Sequence, residues 1–261
     1  MKTLTFWQQL GLGIKTYIQA FGFAVNNGLW IYFIYPIVLS VIMFYGSFSL
    51  ASILSDAIEQ WIRGYIQFDE SEGWLSFLSS TLHFFLTIAL KIIFFFVYST
   101  FSKYIILILM SPIMALLSER TEEILTGKKY PFHFAQFLKD VLRGVAIAMR
   151  NMVIEFSIIF ACLFITWIPI IGWLCPILLL IISYYYYGFS MIDYCNERKK
   201  LSISNSIHYI RKNKGLAIGN GFVFSFLFSL PFVGVILAPI LASVAASIAV
   251  IELDKNQYVE S

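Results

Sequence analysis

Residues Trp167–Leu178 read WIPIIGWLCPIL, and further along Leu230–Leu241 read LPFVGVILAPIL. Each stretch places a glycine three residues after a proline, and a second proline four or five residues beyond: Pro169, Gly172 and Pro176, then Pro231, Gly234 and Pro239. Proline lacks the N–H that a helix interior needs, and glycine beside it marks a turn, so each stretch interrupts a helix. Both interruptions fall inside long apolar runs. Between Val153 and Ile192 the only charge is Glu155. The limbs on either side of the first interruption have about 16 residues and reach about 24 Å, short of a hydrocarbon core of about 30 Å. In the second run, 216–251, the limbs have about 15 and about 12 residues and reach less far. The pattern predicts two helical hairpins, 153–192 and 216–251, that enter a membrane, turn at an uncharged tip and leave on the side of entry. Four short, tilted full spans with turns at the far surface are the alternative.

Composition sets the class. Hydrophobic residues make up 59% of the 261 and charged residues 13%, too few to cover a soluble surface. The aromatic content of 18% suits lipid-facing surfaces and interfacial belts, with Tyr184–Tyr187 one such belt. A net charge of +3 is too small to point to nucleic acid. Cys162, Cys175 and Cys195 have no metal-ligand or CxxC spacing and read as buried thiols. His83, His133 and His208 are scattered and form no metal set. No nucleophile–base pair and no glycine-rich phosphate loop is recognisable, so neither an enzyme, a cofactor nor ATP-driven transport is expected.

The remaining chain divides by polarity. Residues 1–28 lack the compact apolar core of a cleaved signal peptide, because Gln8, Gln9, Lys15 and Gln19 interrupt it. Phe6, Leu10, Ile14, Tyr17, Ile18 and Phe21 recur at helical spacing and predict an amphipathic helix at the membrane surface. Residues 29–54 and 74–117 predict two long transmembrane helices, separated by an acidic loop. Gly127 reads as the stop of a following helical stretch. Phe134–Met152 is amphipathic and predicts a second interfacial helix. The expected fold is thus an all-α integral membrane protein, a single domain over 1–261. Of the 18 Lys and Arg residues, 15 fall in 1–28, 118–152, 193–215 and 252–261, and only Arg63 lies in the acidic loop. By the positive-inside rule both termini and the hairpin bases face the cytoplasm.

Several pieces in this order resemble one family. They are NNGLWIYFIYPIV opening the first long helix, SPIMALLSERTEEILTG after the second, FLKDVLR, the two Pro-Gly-Pro stretches, and MIDYCNERKKLSISNSIHYIRKNKGLAIGNG between them. The chain resembles the CysZ-type sulfate permeases, which share a domain with the eukaryotic etoposide-induced membrane proteins. The resemblance implies two long transmembrane helices and two hemi-penetrating hairpins, in a homo-oligomer of a bacterial inner membrane that passes sulfate into the cytoplasm. It also implies adjacent arginines just after the glycine that opens the first long helix. Here Gly28 is followed by Leu29, Trp30 and Ile31. The guanidinium fork suited to a doubly charged oxyanion is absent there, leaving Asn26, Asn27 and Gly28 as the candidate anion contacts.

Lys91 and Lys103 are cations within an apolar helix and are candidates for an ion pathway, or for snorkelling if they lie near its end. Asp193 closes the first hairpin and predicts a structural ion pair with Arg143 or Arg150 that pins the hairpin bases. Two functions stay open: a permease or channel for sulfate or a related inorganic anion, and a non-transporting scaffold that wedges into the lipid bilayer.

Overall fold

A computed structural model describes residues 4–42, 45, 46, 49, 53, 57, 60, 81, 85, 88, 104–129, 133–166, 168, 172–230 and 233–258. The described residues form helices and turns, without a strand. The chain divides into two compact units, Met1–Ile37 with Leu107–Ser261, and Val38–Ile106. In chain order the helices are α1 (Phe6–Asn26), α2 (Leu29–Ile42, 3₁₀ over Leu29–Phe33), α3 (Tyr104–Thr126) and α4 (Phe134–Ile165). Then follow α5 (Cys175–Arg198), α6 (Ile203–Lys212), α7 (Lys214–Phe228) and α8 (Val233–Tyr258). Four described segments are long and apolar enough to cross a membrane: Tyr104–Thr126, Phe134–Ile165, Gly172–Arg198 and Val233–Lys255. With this composition the chain is a multi-pass integral membrane protein.

The first unit is built around α7, a short apolar helix of 15 residues. Glycines let two other helices approach it closely. A Cβ placed on Gly219 would lie 2.3 Å from the Leu10 carbonyl oxygen of α1, and one on Gly13 would lie 2.7 Å from that of Leu216. On the α5 side, a Cβ on Gly221 would lie 1.7 Å from the Tyr184 carbonyl oxygen, and one on Gly188 1.9 Å from that of Ala217. Between apolar helices in lipid, burial gives little net drive, and backbone approach through small residues takes its place. Helix α8 follows the same rule with alanine and serine. Ala238, Ala242, Ser243, Ala245, Ala246, Ser247 and Ala249 are fully buried, and the helix packs on α1, α5 and α7.

Helix α1 carries two different faces. Its buried stripe is Gln9, Leu12, Gly13, Thr16, Tyr17, Ala20 and Ala24, facing α7 and α8. Its large apolar residues Trp7, Ile18, Phe21 and Val25 are exposed. Gln9 and Tyr17 therefore play roles that hydropathy did not indicate. The Gln9 amide donates to Asn213 Oδ1 at 3.3 Å and accepts the Gly215 N–H at 3.2 Å, closing the first turn of α7. The Tyr17 hydroxyl donates to the Asn220 carbonyl at 2.8 Å.

The interruptions are turns between helix pairs. At the first, the Gly172 N–H donates to the Ile168 carbonyl at 2.9 Å, and at the second the Gly234 N–H donates to that of Leu230 at 2.9 Å. At both glycines a Cβ would collide with backbone, Thr166 and Leu227 respectively. The second prolines differ. Pro176 sits in the first turn of α5, where no donor is missed, whereas Pro239 is inside α8. Pro169 and Pro231 lie outside the described residues. Helix α4 runs unbroken for 32 residues, so the expected boundary between an interfacial helix and a hairpin at Val153 is not a break. No glycine or proline falls there, and one stripe (Gly144, Ile147, Ala148, Asn151, Glu155) stays buried across it. Helix α3 likewise continues past Leu117 to Thr126 and stops at Gly127, whose φ is 72°.

The Gly221 contact generates a test. Gly221→Ala should destabilise the protein in detergent by about 1–3 kcal/mol, since the opposing atom is backbone and cannot turn away. Gly11→Ala on α1, with open space at its Cβ, should be neutral or slightly stabilising. Equal thermal unfolding midpoints for wild type and Gly221→Ala would refute the close packing.

Candidate functional site

Polar side chains collect where α5 ends. Residues 187–196 of this helix are buried on every side. A helix so enclosed can hold polar groups only if each finds a partner. Arg143 of α4 meets Asp193 as a two-pronged pair, Nη2 to Oδ1 at 3.0 Å and Nε to Oδ2 at 3.1 Å. The same guanidinium donates to the Leu201 carbonyl and lies 3.8 Å from Glu197. Ser206 of α6 donates to Asp193 and accepts from the Asn196 amide at 2.9 Å. Helices α4, α5 and α6 are thereby tied to one carboxylate that is 2% exposed.

A second pair joins α5 to α3. Arg198 bonds to Glu122 and Ser118 of α3, and to the Tyr194 carbonyl at 3.2 Å. Ser118 in turn contacts Ser247 of α8 at 3.1 Å and Cys195 at 3.8 Å. A third joins α5 to α8. Lys199 pairs with Asp254 and lies 4.9 Å above the ring of Tyr209, whose hydroxyl donates to Asp254 at 3.1 Å. Burial, reinforced by the Asp254 charge, pushes the Tyr209 phenol well above its ordinary range, so it remains a donor at physiological pH.

This cluster is a clamp. Its guanidinium groups are engaged by carboxylates, which leaves no open fork for an oxyanion. The expected partners are thus sorted: Arg143 is brought to Asp193, and Arg150 is not. Arg150 donates to Asn151 Oδ1 at 3.0 Å and stands 5.6 Å from the Phe189 ring centroid. Glu155, expected to be interfacial, is 2% exposed and accepts a hydrogen bond from Ser183. The Arg198–Glu122–Ser118 pairing was not anticipated. Its trace in the sequence is Ser111, Ser118 and Glu122, spaced seven and four residues apart on one stripe of α3.

The candidate anion contacts lie elsewhere. Gly28 has φ 71° and separates α1 from α2 across a bend of 105°. The Asn27 amide donates to the Phe23 carbonyl at 2.9 Å, so it caps the end of α1. Leu29 is buried, while Trp30 and Ile31 are 64% and 57% exposed. Lys91 and Lys103 lie outside the described residues. Among the described residues no three His, Cys, Asp or Glu side chains stand close enough to hold a metal ion.

The clamp generates a second test. Asp193→Asn should cost about 3–5 kcal/mol of stability, because it leaves Arg143 buried without its counter-charge. Adding Arg143→Met should recover part of that loss, read as coupling in a double-mutant cycle of detergent unfolding. Strictly additive effects would mean that the pair is not a unit.

Comparison with known proteins assigns the chain. The model of the family described as "Sulfate transporter CysZ/Etoposide-induced protein 2.4" matches residues 16–239. A protein named sulfate transporter CysZ from Vibrio parahaemolyticus serotype O3:K6 is 26% identical over 232 residues, covering 88% of this chain and 89% of its own. A protein of the same name from Vibrio cholerae serotype O1, El Tor Inaba N16961, is 25% identical over 215 residues, covering 81% and 82%. These relatives carry the names of transporters, not of enzymes. With its apolar helices and this match through most of its length, the chain belongs to the CysZ/etoposide-induced protein 2.4 family.

Proposed function

We propose that this chain is a permease or channel that passes sulfate or a related inorganic anion across a bacterial inner membrane as a homo-oligomer. The observation that carries this reading is the match over 88% of the chain to a protein named as a sulfate transporter. An ion gradient or simple diffusion would drive it. The anion path draws on Asn26, Asn27 and Gly28, and on Lys91 and Lys103, because an anion in hydrocarbon needs positive potential along its route. The hairpin tips support a membrane-embedded arrangement. Around the first, Phe160, Phe164, Ile168, Trp173 and Leu174 are exposed and apolar, a surface for lipid or a second subunit.

The arrangement we infer has two long transmembrane helices and two hairpins that enter and leave on one side. Both termini are cytoplasmic and the acidic loop is outside. One labelling experiment addresses it. In a background lacking the three native thiols, Glu70→Cys should react with an impermeant reagent from outside, whereas Ser261→Cys and Trp173→Cys should not. Trp173 is chosen because it is 84% exposed at the tip, where Gly172 has no room for a side chain. Outside labelling of Trp173→Cys would replace the hairpin by two full spans.

A second reading is favoured by one observation. Apolar, exposed Trp30 and Ile31 stand where the resemblance implies arginines, which suits a scaffold that wedges into lipid. Flux into proteoliposomes separates the two. Sulfate uptake above empty liposomes is expected, with Lys91→Gln or Lys103→Gln lowering it. Trp30→Arg with Ile31→Arg should reduce the half-saturating sulfate concentration by about tenfold, the scale of one or two charge-assisted hydrogen bonds. If wild type and all variants match empty liposomes for sulfate, thiosulfate and chloride, the scaffold reading stands instead.

A further inference from the structure

A cavity of about 470 Å³ lies between α4, α5, α6 and α7, away from the clamp. Its wall is apolar, formed by Ile158 of α4, Ile181 and Ile182 of α5, and Ile218 of α7. Its other side is cationic and aromatic, with Arg211, Lys214, Tyr185 and Tyr186. Arg211 and Lys214 are exposed, and neither has an ion-pair partner among the described residues. Arg150 and Glu155 of α4 are within electrostatic reach of Tyr186. Glu155 is buried against Ser183, so the accessible charges at the cavity are positive.

The cavity continues into an apolar track. Ile181, Ile177 and Leu174, spaced four and three residues apart on one face of α5, are 45%, 58% and 62% exposed. The track leads from the cavity toward the hairpin tip, over about 10 Å at 1.5 Å per residue. A free inorganic oxyanion would match the cations but would lose hydration against the isoleucines without return. A molecule with an anionic head and a hydrocarbon tail matches both parts. Basic pockets between membrane helices hold phospholipid headgroups by this combination.

We propose that this cavity is a site for an anionic phospholipid, its phosphate held by Arg211 and Lys214 and one acyl chain lying along Ile181, Ile177 and Leu174. The site is independent of whether the protein transports sulfate, and its test does not use flux. The purified full chain is exchanged into dioleoylphosphatidylglycerol or dioleoylphosphatidylcholine, and retained lipid is counted by native mass spectrometry. Phosphatidylglycerol should be retained preferentially. Arg211→Gln with Lys214→Gln should weaken its retention by about 25-fold, about fivefold for each charge at a membrane surface. Lys212→Gln, one residue from Arg211 and not on the cavity, should leave retention unchanged. Ile181→Trp keeps every charge and sits at an exposed position, so it tests the tail contact even if the double variant fails to fold; it should also lower retention. Equal retention of the two lipids, an effect of Lys212→Gln as large as that of the double variant, or unchanged retention in Ile181→Trp would overturn the proposal. Displacement of the lipid by inorganic sulfate at constant ionic strength would also overturn it and give the cavity to a free oxyanion.

Discussion

The first unit depends on how closely backbone can approach backbone around α7. Gly13, Gly188, Gly219 and Gly221 bring the carbonyl edges of α1, α5 and α7 within distances that even a methyl group would prevent. In water such contacts would supplement a hydrophobic core. In lipid, where the outer surface is as apolar as the inner one, they are a principal source of specificity. Once α1 and α5 are seated on α7, the small-residue helix α8 has one place to lie, and the turn at Gly234 joins α7 and α8 into an adjacent pair.

Polar interactions are distributed very unevenly. At the end of α5, Asp193, Arg198 and Lys199 reach α4, α3 and α8 in three separate pairings, and Asp193 also takes a hydrogen bond from Ser206 of α6. Toward the tip between α4 and α5, the exposed side chains are almost all apolar. Buried ion pairs contribute modest net stability, because desolvation offsets the attraction, yet breaking one is costly. Their effect here is to fix which helices meet, and in what register, at one end. The other end is left to conform to whatever surrounds it.

The all-α membrane class was legible from composition, and the interruption near Gly172 from the spacing of Pro169, Gly172 and Pro176, because proline and glycine act through the backbone alone. Gly127 was legible as a helix end for the same reason. The extent of α4 was not, since the change from amphipathic to uniformly apolar sequence near Val153 alters the surroundings of a helix and leaves its hydrogen bonds intact. The two faces of α1 were only half legible. Periodicity found its large residues, whereas the buried stripe of Gly13, Thr16, Ala20 and Ala24 carries almost no hydropathy signal. Within the polar cluster, Asp193 was identifiable because it is an acid at the edge of an apolar run. Its choice of Arg143 over Arg150, which lie two turns apart on nearly the same face of α4, depends on how far α4 is shifted along α5, which no single-chain pattern encodes. Glu122 and Arg198 are far apart in sequence and each looks like an ordinary surface charge.

The uncharged tip between Thr166 and Leu174 has a consequence for biogenesis. Carrying a charged side chain into hydrocarbon is costly and raises the barrier to inserting the segment that bears it. The chain from Phe156 to Ile192 contains no Asp, Glu, Lys, Arg or His, and its exposed residues around the turn are mostly aromatic and aliphatic. A segment of this kind can partition sideways from the interface into the bilayer as a folded pair, with its charged base left in the aqueous phase. The acidic loop between the first two long apolar stretches has no such route. The two parts of the chain therefore make different demands on the insertion machinery.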